Sequence, residues 1–460
     1  MCGSPPDAPA AAAAAVARLR NLHDGEQAIP EVVRCGELAV PELESLLRAP
    51  SQSIPHSRCW AADALAGIGG AAAVQALLRA LRDSSLRSLP AQLQEAEAVV
   101  LGRIAEHLSI VPGEAVSDAL FAALLAHRSS PSCVQAVGRR HETRSIPLLM
   151  NCLFEDSSRM AAAQALAGFG AAALGHLCRA TTSSTWESDT EPPTHVEGRT
   201  AAAGILGEWL SEGARDAPLR AADVRASLLR AVHDPQRTVR LAAAIALARA
   251  RFDPTGEVAD LLVSALEDTP WPRLESVMDA IQSLGARAFA SLSAAISAPG
   301  DPASGGPRRV HAIELAGRMK ASSVAPRLAV LADAPDAQLR LAAIRSLARM
   351  TPVETAALAR YLGDPLGAVR RTALLALSRH DLLSVECHIR SLADPDRRIR
   401  RWARLVLHRR GPRALAALRG TVRSAGAPAH GFLSRWRLFW RALAMLMEIR
   451  LRRHRTLASP

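Results

Sequence analysis

Aromatic residues are scarce in this chain. Its 460 residues include seven Trp, seven Phe and one Tyr, too few for a large globular core built on bulky rings. Lysine is almost missing: every basic residue except Lys320 is arginine. No apolar run approaches the roughly 18–20 residues that a transmembrane helix needs. Paired cysteines are missing too. Cys2, Cys35, Cys59, Cys133, Cys152, Cys178 and Cys387 contain no CxxC pair and are odd in number, which excludes a disulfide framework and leaves free thiols in a reducing compartment. Met1–Ala15 is a Pro/Ala tract carrying Asp7, without the basic start of a signal peptide, so a cytoplasmic location is expected. There is no P-loop, no strand-borne GxGxxG, no HExxH and no GxSxG. An apolar share of 49% excludes general disorder.

What is present is an internal repeat. Four segments align, beginning Val239-Arg240, Leu339-Arg340, Val369-Arg370 and Ile399-Arg400. With the first residue of each as offset zero, offset one is always Arg. Offset four is Ala243, Ala343, Ala373 and Ala403, and offset eight is Leu247, Leu347, Leu377 and Leu407. Offset ten is Arg249, Arg349, Arg379 and Arg409. Earlier copies occur at Arg58, Arg159 and Arg199, and a partial one at Arg309. Offsets zero, four and eight share one helix face, and alanine at offset four admits a close helical neighbour. A second apolar stretch follows each such helix, for example Glu257–Leu266, Ala325–Ala332 and Thr355–Leu362, so one unit is a helical hairpin. Asp234-Pro235, Asp364-Pro365 and Asp394-Pro395 stand before three of the repeats. Asp is expected there as an N-cap with Pro in the first turn, and the offset-ten Arg is expected at the helix C-terminus. Arg240, Arg340, Arg370, Arg400, Asp234, Asp364 and Asp394 are therefore read as structural residues of the repeat. The fold class is all-α, an α-solenoid of about ten or eleven antiparallel hairpins.

The string Asp-Pro, three residues, Val/Ile-Arg, two residues, Ala, three residues, Leu resembles HEAT repeats, specifically the short type known from phycobilin lyases. The resemblance covers roughly residues 26–425. It implies a helical-hairpin solenoid. Relatives of that kind include chromophore-attaching lyases, protein scaffolds, DNA-glycosylase relatives and metal-dependent hydroxylases. The hydroxylases hold iron with several His-Glu pairs, whereas this chain has only His141-Glu142, so no metal, cofactor or catalytic residue is assigned.

Three regions stand outside that pattern: a Pro/Ala-rich segment 1–25, an acidic insertion 181–198 with Glu187, Asp189, Glu191 and Glu197, and a basic amphipathic end 426–460. The insertion reads as a solvated loop, or as a lid over a basic surface. Pro299–Pro307 is a shorter turn-rich loop. Charge is uneven. Residues 397–460 hold 17 arginines and one acid, Glu448, or +16, whereas residues 1–396 sum to −4. Arg397, Arg398, Arg401, Arg404, Arg410 and Arg413 exceed the repeat template and form a candidate basic patch. Beyond them, Phe432, Trp436, Phe439, Trp440, Leu443, Leu446 and Met447 share a face of a candidate terminal helix. That helix would cap the solenoid, lie on an anionic membrane or dock into a partner groove.

The leading expectation is a non-enzymatic scaffold holding an unidentified protein on a concave surface of second helices. Nucleic-acid binding through the last repeats and attachment to an anionic membrane surface are the alternatives, with a chromophore lyase behind them. Oligomeric state is left open.

Overall fold

The Ala/Leu/Arg repeat folds as helices in the computed structural model, which describes residues 8–49, 55–83, 91–182, 191–212, 218–297, 306–351, 355–410, 412–425 and 440–449. Among these residues the regular elements are α-helices and short 3-10 turns, without a strand, and the fold is an all-α solenoid. The chain divides into two compact units, residues 1–252 and 253–460.

In the first unit the described helices pair as hairpins: Gly25–Arg34 with Val40–Leu47, Pro55–Ile68 with Gly70–Asp83, Ala91–Ser109 with Glu114–Ala126, Pro131–Arg139 with Ile146–Leu153, Arg159–Gly168 with Leu174–Thr182, and Pro193–Glu212 with Pro218–Ala231. Arg237–Arg249 packs next to the last of them. The second unit opens with Glu257–Ala265. Its hairpins pair Arg273–Leu284 with Phe289–Ser297, Gly306–Arg318 with Ala325–Leu331, Ala337–Leu347 with the 3-10 turn Ala357–Gly363, Gly367–Arg379 with Val385–Ser391, and Arg397–Arg410 with Pro412–Ala425.

The core is where the repeat puts it. Ala243, Ala343, Ala373 and Ala403 are fully buried, and the leucines four residues on are no more than 3% exposed. Each buried leucine contributes roughly 1.5–3 kcal/mol, and the alanines bring neighbouring first helices close. Backbones approach closely at Gly317, where a Cβ would stand 2.5 Å from the Cα of Ser346 on the next first helix. A core this thin is filled by Ala and Leu and has little use for rings.

The repeat arginine ties neighbouring hairpins together. Nη1 of Arg370 donates to the carbonyls of Asp364 and Pro365 at 2.7 and 3.0 Å. Arg340 does the same to Ala334 and Pro335, Arg240 to Asp234 and Pro235, and Arg400 to Asp394 and Pro395. The opposite edge takes a carboxylate from the next hairpin. Arg370 Nε and Nη2 each meet Asp394 at 2.9 Å, and Arg340 Nε meets Asp364 at 3.2 Å. In the first unit Arg58 pairs with Glu97, Arg159 with Glu197, and Arg199 with Asp234. Burial pushes the Asp394 carboxyl up, but hydrogen bonds from Arg370 and the Asp396 N–H outweigh it and hold the group below the usual carboxylate range.

This geometry corrects four expectations. The Asp of Asp-Pro is not the N-cap: Gln236 and Leu366 occupy that position before their helices. Asp234, Asp364 and Asp394 instead accept from the N–H two residues on, at 2.9, 2.7 and 2.7 Å, folding the linker into a tight turn while their carboxylates face the preceding arginine. Segment 1–25 is not wholly outside the stack, because Ala8–Arg18 is a helix that buries Ala12, Ala15 and Val16. The described residues of the insertion, 181–182 and 191–198, are structural. Residues 193–198 begin the Pro193–Glu212 helix, Glu197 pairs with Arg159, and Glu191 is buried against Arg199; Glu187 and Asp189 lie outside the described residues. Pro307, placed in a loop from sequence, lies within the Gly306–Arg318 helix.

Arg199 is fully buried between two carboxylates, with Glu191 at 2.9 and 3.1 Å and Asp234 at 2.8 Å. Arg199→Met would leave both acids without their cation, and we expect a loss of about 3–5 kcal/mol in urea unfolding of the whole chain. The ladder also has a gap. Ala334 stands where three other linkers carry Asp234, Asp364 and Asp394, and among the described residues Arg309 makes one bond, from Nε to the Ile296 carbonyl at 3.0 Å. Ala334→Asp is expected to add the missing rung, raising stability by about 1 kcal/mol. A lowered urea midpoint for that variant would contradict the proposed register.

Candidate binding surface on the last repeats

The Arg397–Arg410 helix buries Ile399, Ala403 and Leu407. At 3.6 residues per turn, the opposite face is Arg397, Arg398, Arg401, Arg404, Leu405 and Arg409, all exposed. No described residue forms an ion pair with any of these five arginines. Like charges at i, i+4 cost a few tenths of a kcal/mol per pair, and Arg397 and Arg398 also oppose the helix dipole. Asp396 offsets part of this by accepting from the Arg398 N–H at 2.7 Å.

Of the six patch residues expected from sequence, Arg397, Arg398, Arg401 and Arg404 share this face. Arg410 does not: it is half-buried and pairs with Asp381. Arg413 belongs to the Pro412–Ala425 helix. Arg409, read from sequence as a template residue, joins the face. Arg404 takes the offset held by Ala244, Ile344 and Leu374, which are buried against neighbouring helices.

A second arginine row was missed. Arg327, Arg360, Arg390 and Arg419 are exposed on successive second helices of this unit. Arg327 reaches the Ser297 hydroxyl on the helix before it, and Arg360 reaches the Ala329 carbonyl at 3.3 Å. Their spacing of about 30 residues was the available signal, overlooked because the repeat was aligned on its first helices. Val330, 73% exposed, lies beside this row.

The described part of the terminal helix, residues 440–449, packs onto the last hairpins. Ala442, Met445, Leu446 and Ile449 are buried against Ile389, Leu392, Ala403, Leu407, Ala414, Leu415 and Leu418. Arg441 Nη1 donates to the Leu392 carbonyl at 2.7 Å, and His408 Nε2 lies 3.1 Å from Glu448. The buried face shares Leu446 with the expected one and otherwise differs from it. Trp440 and Met447 are about half exposed, Leu443 is half-buried, and Phe432, Trp436 and Phe439 lie outside the described residues. The aromatic positions suggested one register, but the aliphatic set at i, i+3, i+4 and i+7 supplies the contact.

Other candidate chemistry is tied up in packing. Glu142 is bonded by Ser117, Arg140 and Arg144, and His141 packs against Phe169. Among the described residues no three His, Cys, Asp or Glu side chains group to hold a metal ion, and no helix is long and apolar enough to cross a membrane.

No protein-family model matches the sequence, and no curated protein matches it. Solved structures of similar build include Kap95p bound to RanGDP, at 12% identity and TM-score 0.49, covering 96% of this chain and 67% of that one. Kap121p bound to the extreme C-terminus of the protein phosphatase Cdc14p matches at 10% identity and TM-score 0.45. That match covers 92% of this chain and 57% of Kap121p, so the chain spans little more than half of that protein. Human deoxyhypusine hydroxylase matches at 17% identity and TM-score 0.22, covering 74% and 96%. At these values the likenesses carry no inference about partners or activity.

The cap makes a direct prediction. Leu446→Asp places a charge in the apolar contact and should lower the stability of the chain by several kcal/mol. Met447→Asp, one residue away on the exposed side, should change it by less than about 0.5 kcal/mol. Equal urea midpoints for the two variants would refute this placement of the helix.

Proposed function

We propose that this chain is a non-enzymatic helical-repeat scaffold that holds a partner protein, with the basic last repeats forming part of the contact. The observation that carries this reading is the arginine face of the Arg397–Arg410 helix, which no described acid neutralises. A rigid helix presenting five uncompensated charges suits an acidic partner better than it suits the fold itself. The second helices, with Arg327, Arg390 and Arg419, extend the basic character along the surface on which a partner of stacked hairpins is expected, while Arg360 pairs with Asp333. The finer kinship with phycobilin-lyase-type HEAT repeats rests on the Asp-Pro/Arg/Ala/Leu string alone. A cytoplasmic location agrees with free thiols used as packing: Cys133 and Cys152 are buried, and burial pushes the Cys152 thiol up to about 11.

The same arginines favour nucleic acid as the second reading. Affinity purification of the full-length chain from its source cells, with nuclease treatment, separates the two. A stoichiometric protein that survives nuclease and is lost from the Arg397→Glu, Arg401→Glu, Arg404→Glu variant is expected. Recovery of nucleic acid without protein, bound with a steep salt dependence, would overturn the scaffold reading.

A further inference from the structure

The ladder ends on an open rung. Arg340 and Arg370 are held the same way: Nη1 clamped on the two linker carbonyls, the other edge on the next hairpin's Asp. Arg400 has the first half of this arrangement, with Nη1 at 2.9 and 2.7 Å from the Asp394 and Pro395 carbonyls. It lacks the second half, as Arg240 also does among the described residues. No described residue meets its Nε and Nη2, and the only acidic side chain between residues 397 and 460 is Glu448, which lies against His408. The clamp therefore holds the guanidinium in the orientation that receives a carboxylate on the two preceding rungs, with no carboxylate supplied by the segment that follows. On the helix surface Arg400 adjoins Arg404, Arg397 and Arg401, so the open edge continues into the exposed arginine face.

We propose that this open edge of Arg400, flanked by Arg397, Arg401 and Arg404, is a docking site for an acidic segment of a protein partner. An Asp or Glu side chain of that segment takes the place on Arg400 that Asp394 takes on Arg370. The inference rests on the scaffold reading and adds the chemistry of the partner and its point of attachment. Protein carboxylate is favoured over the phosphates of a nucleic acid by the position of the rung. The Nε/Nη2 fork takes the two oxygens of one carboxylate, as Asp394 does on Arg370; a phosphate could use the same fork, so the choice rests on where the fork lies. The carbonyl clamp keeps Arg400 half-buried beside the linker turn. A phosphate backbone would instead draw on the outermost arginines, Arg397, Arg398, Arg401 and Arg409, and gain little from Arg400.

The test measures anisotropy of a fluorescein-labelled oligoglutamate peptide and of a fluorescein-labelled DNA duplex, each titrated with the full chain at low ionic strength. Arg400→Ala is expected to weaken peptide binding about tenfold, equivalent to about 1.4 kcal/mol. Arg400→Lys should recover only part of it, because an ammonium cannot form the fork. Arg340→Ala breaks a closed rung of the same ladder and should leave peptide affinity unchanged, which separates lost binding from lost stability. Should Arg400→Ala fail to fold, exposed Arg404→Ala takes its place, with a several-fold loss expected. Wild-type peptide affinity in the Arg400 variants, or in Arg404→Ala where that variant stands in, would overturn the open rung while the nuclease-resistant partner still upholds the scaffold. Tighter binding of the duplex than of the peptide, with the same dependence on Arg400, would assign the site to nucleic acid.

Discussion

The arginine at the start of most first helices is the constraint around which these hairpins are organised. One guanidinium satisfies carbonyls where the preceding hairpin ends and grips a carboxylate from the hairpin that follows. Arg58, Arg159, Arg199, Arg340 and Arg370 all make this double connection. Five donors in a rigid plane can face two directions at once; a lysine ammonium is a point charge and cannot. The near-absence of lysine becomes intelligible on these terms. An exposed ion pair such as Arg159–Glu197 contributes little, but the Arg58–Glu97 and Arg199–Asp234 pairs are buried and those of Arg340 and Arg370 are half-buried. The ladder fixes register between neighbours, and the Ala/Leu core supplies the bulk of the stability.

These two devices depend on each other. Alanine at offset four, with glycine or serine at contacts such as Gly317 and Ser346, brings first helices close enough for an arginine to span from one linker to the next. Larger residues would widen the spacing and break the rungs. A chain that keeps its helices this close has little room for aromatic rings in its core, so the low aromatic count and the arginine ladder are two expressions of one spacing.

The periodic part of this structure was legible in the sequence because helical burial has a fixed period. Ala243, Leu247 and their counterparts were placed in the core from spacing alone, and that is where they lie. Less legible was anything that depends on which partner a polar group meets. Asp234, Asp364 and Asp394 have the sequence context of N-caps, but the turn they form lies two residues earlier and aims the carboxylate at the previous arginine. Glu191 and Glu197 serve the same role as those aspartates from inside or beside a helix, at another spacing, so they read as a solvated acidic loop. In the terminal helix a string of Trp and Phe suggested one register, while the contact belongs to Ala442, Met445, Leu446 and Ile449. Local pattern specified that these elements are helical; the neighbour's shape decided which face turned inward.

The uneven charge follows from the same bookkeeping. In residues 1–396 acids slightly outnumber bases, and Glu97, Glu191, Glu197, Asp234, Asp364 and Asp394 among them meet arginines of the ladder. Past Asp396 the sequence continues to supply arginine and nearly stops supplying acids, with Glu448 the one exception. The +16 is therefore more than a decorative tail. It begins at the rung where the ladder runs out of carboxylates, on a helix whose offset-five position has changed from a buried apolar residue to an exposed arginine. Self-repulsion on that helix is tolerated because the cap of residues 440–449 secures its opposite side through apolar contacts. A stable, strongly basic end then requires no acid from within the fold, and its arginines stay available to one from outside.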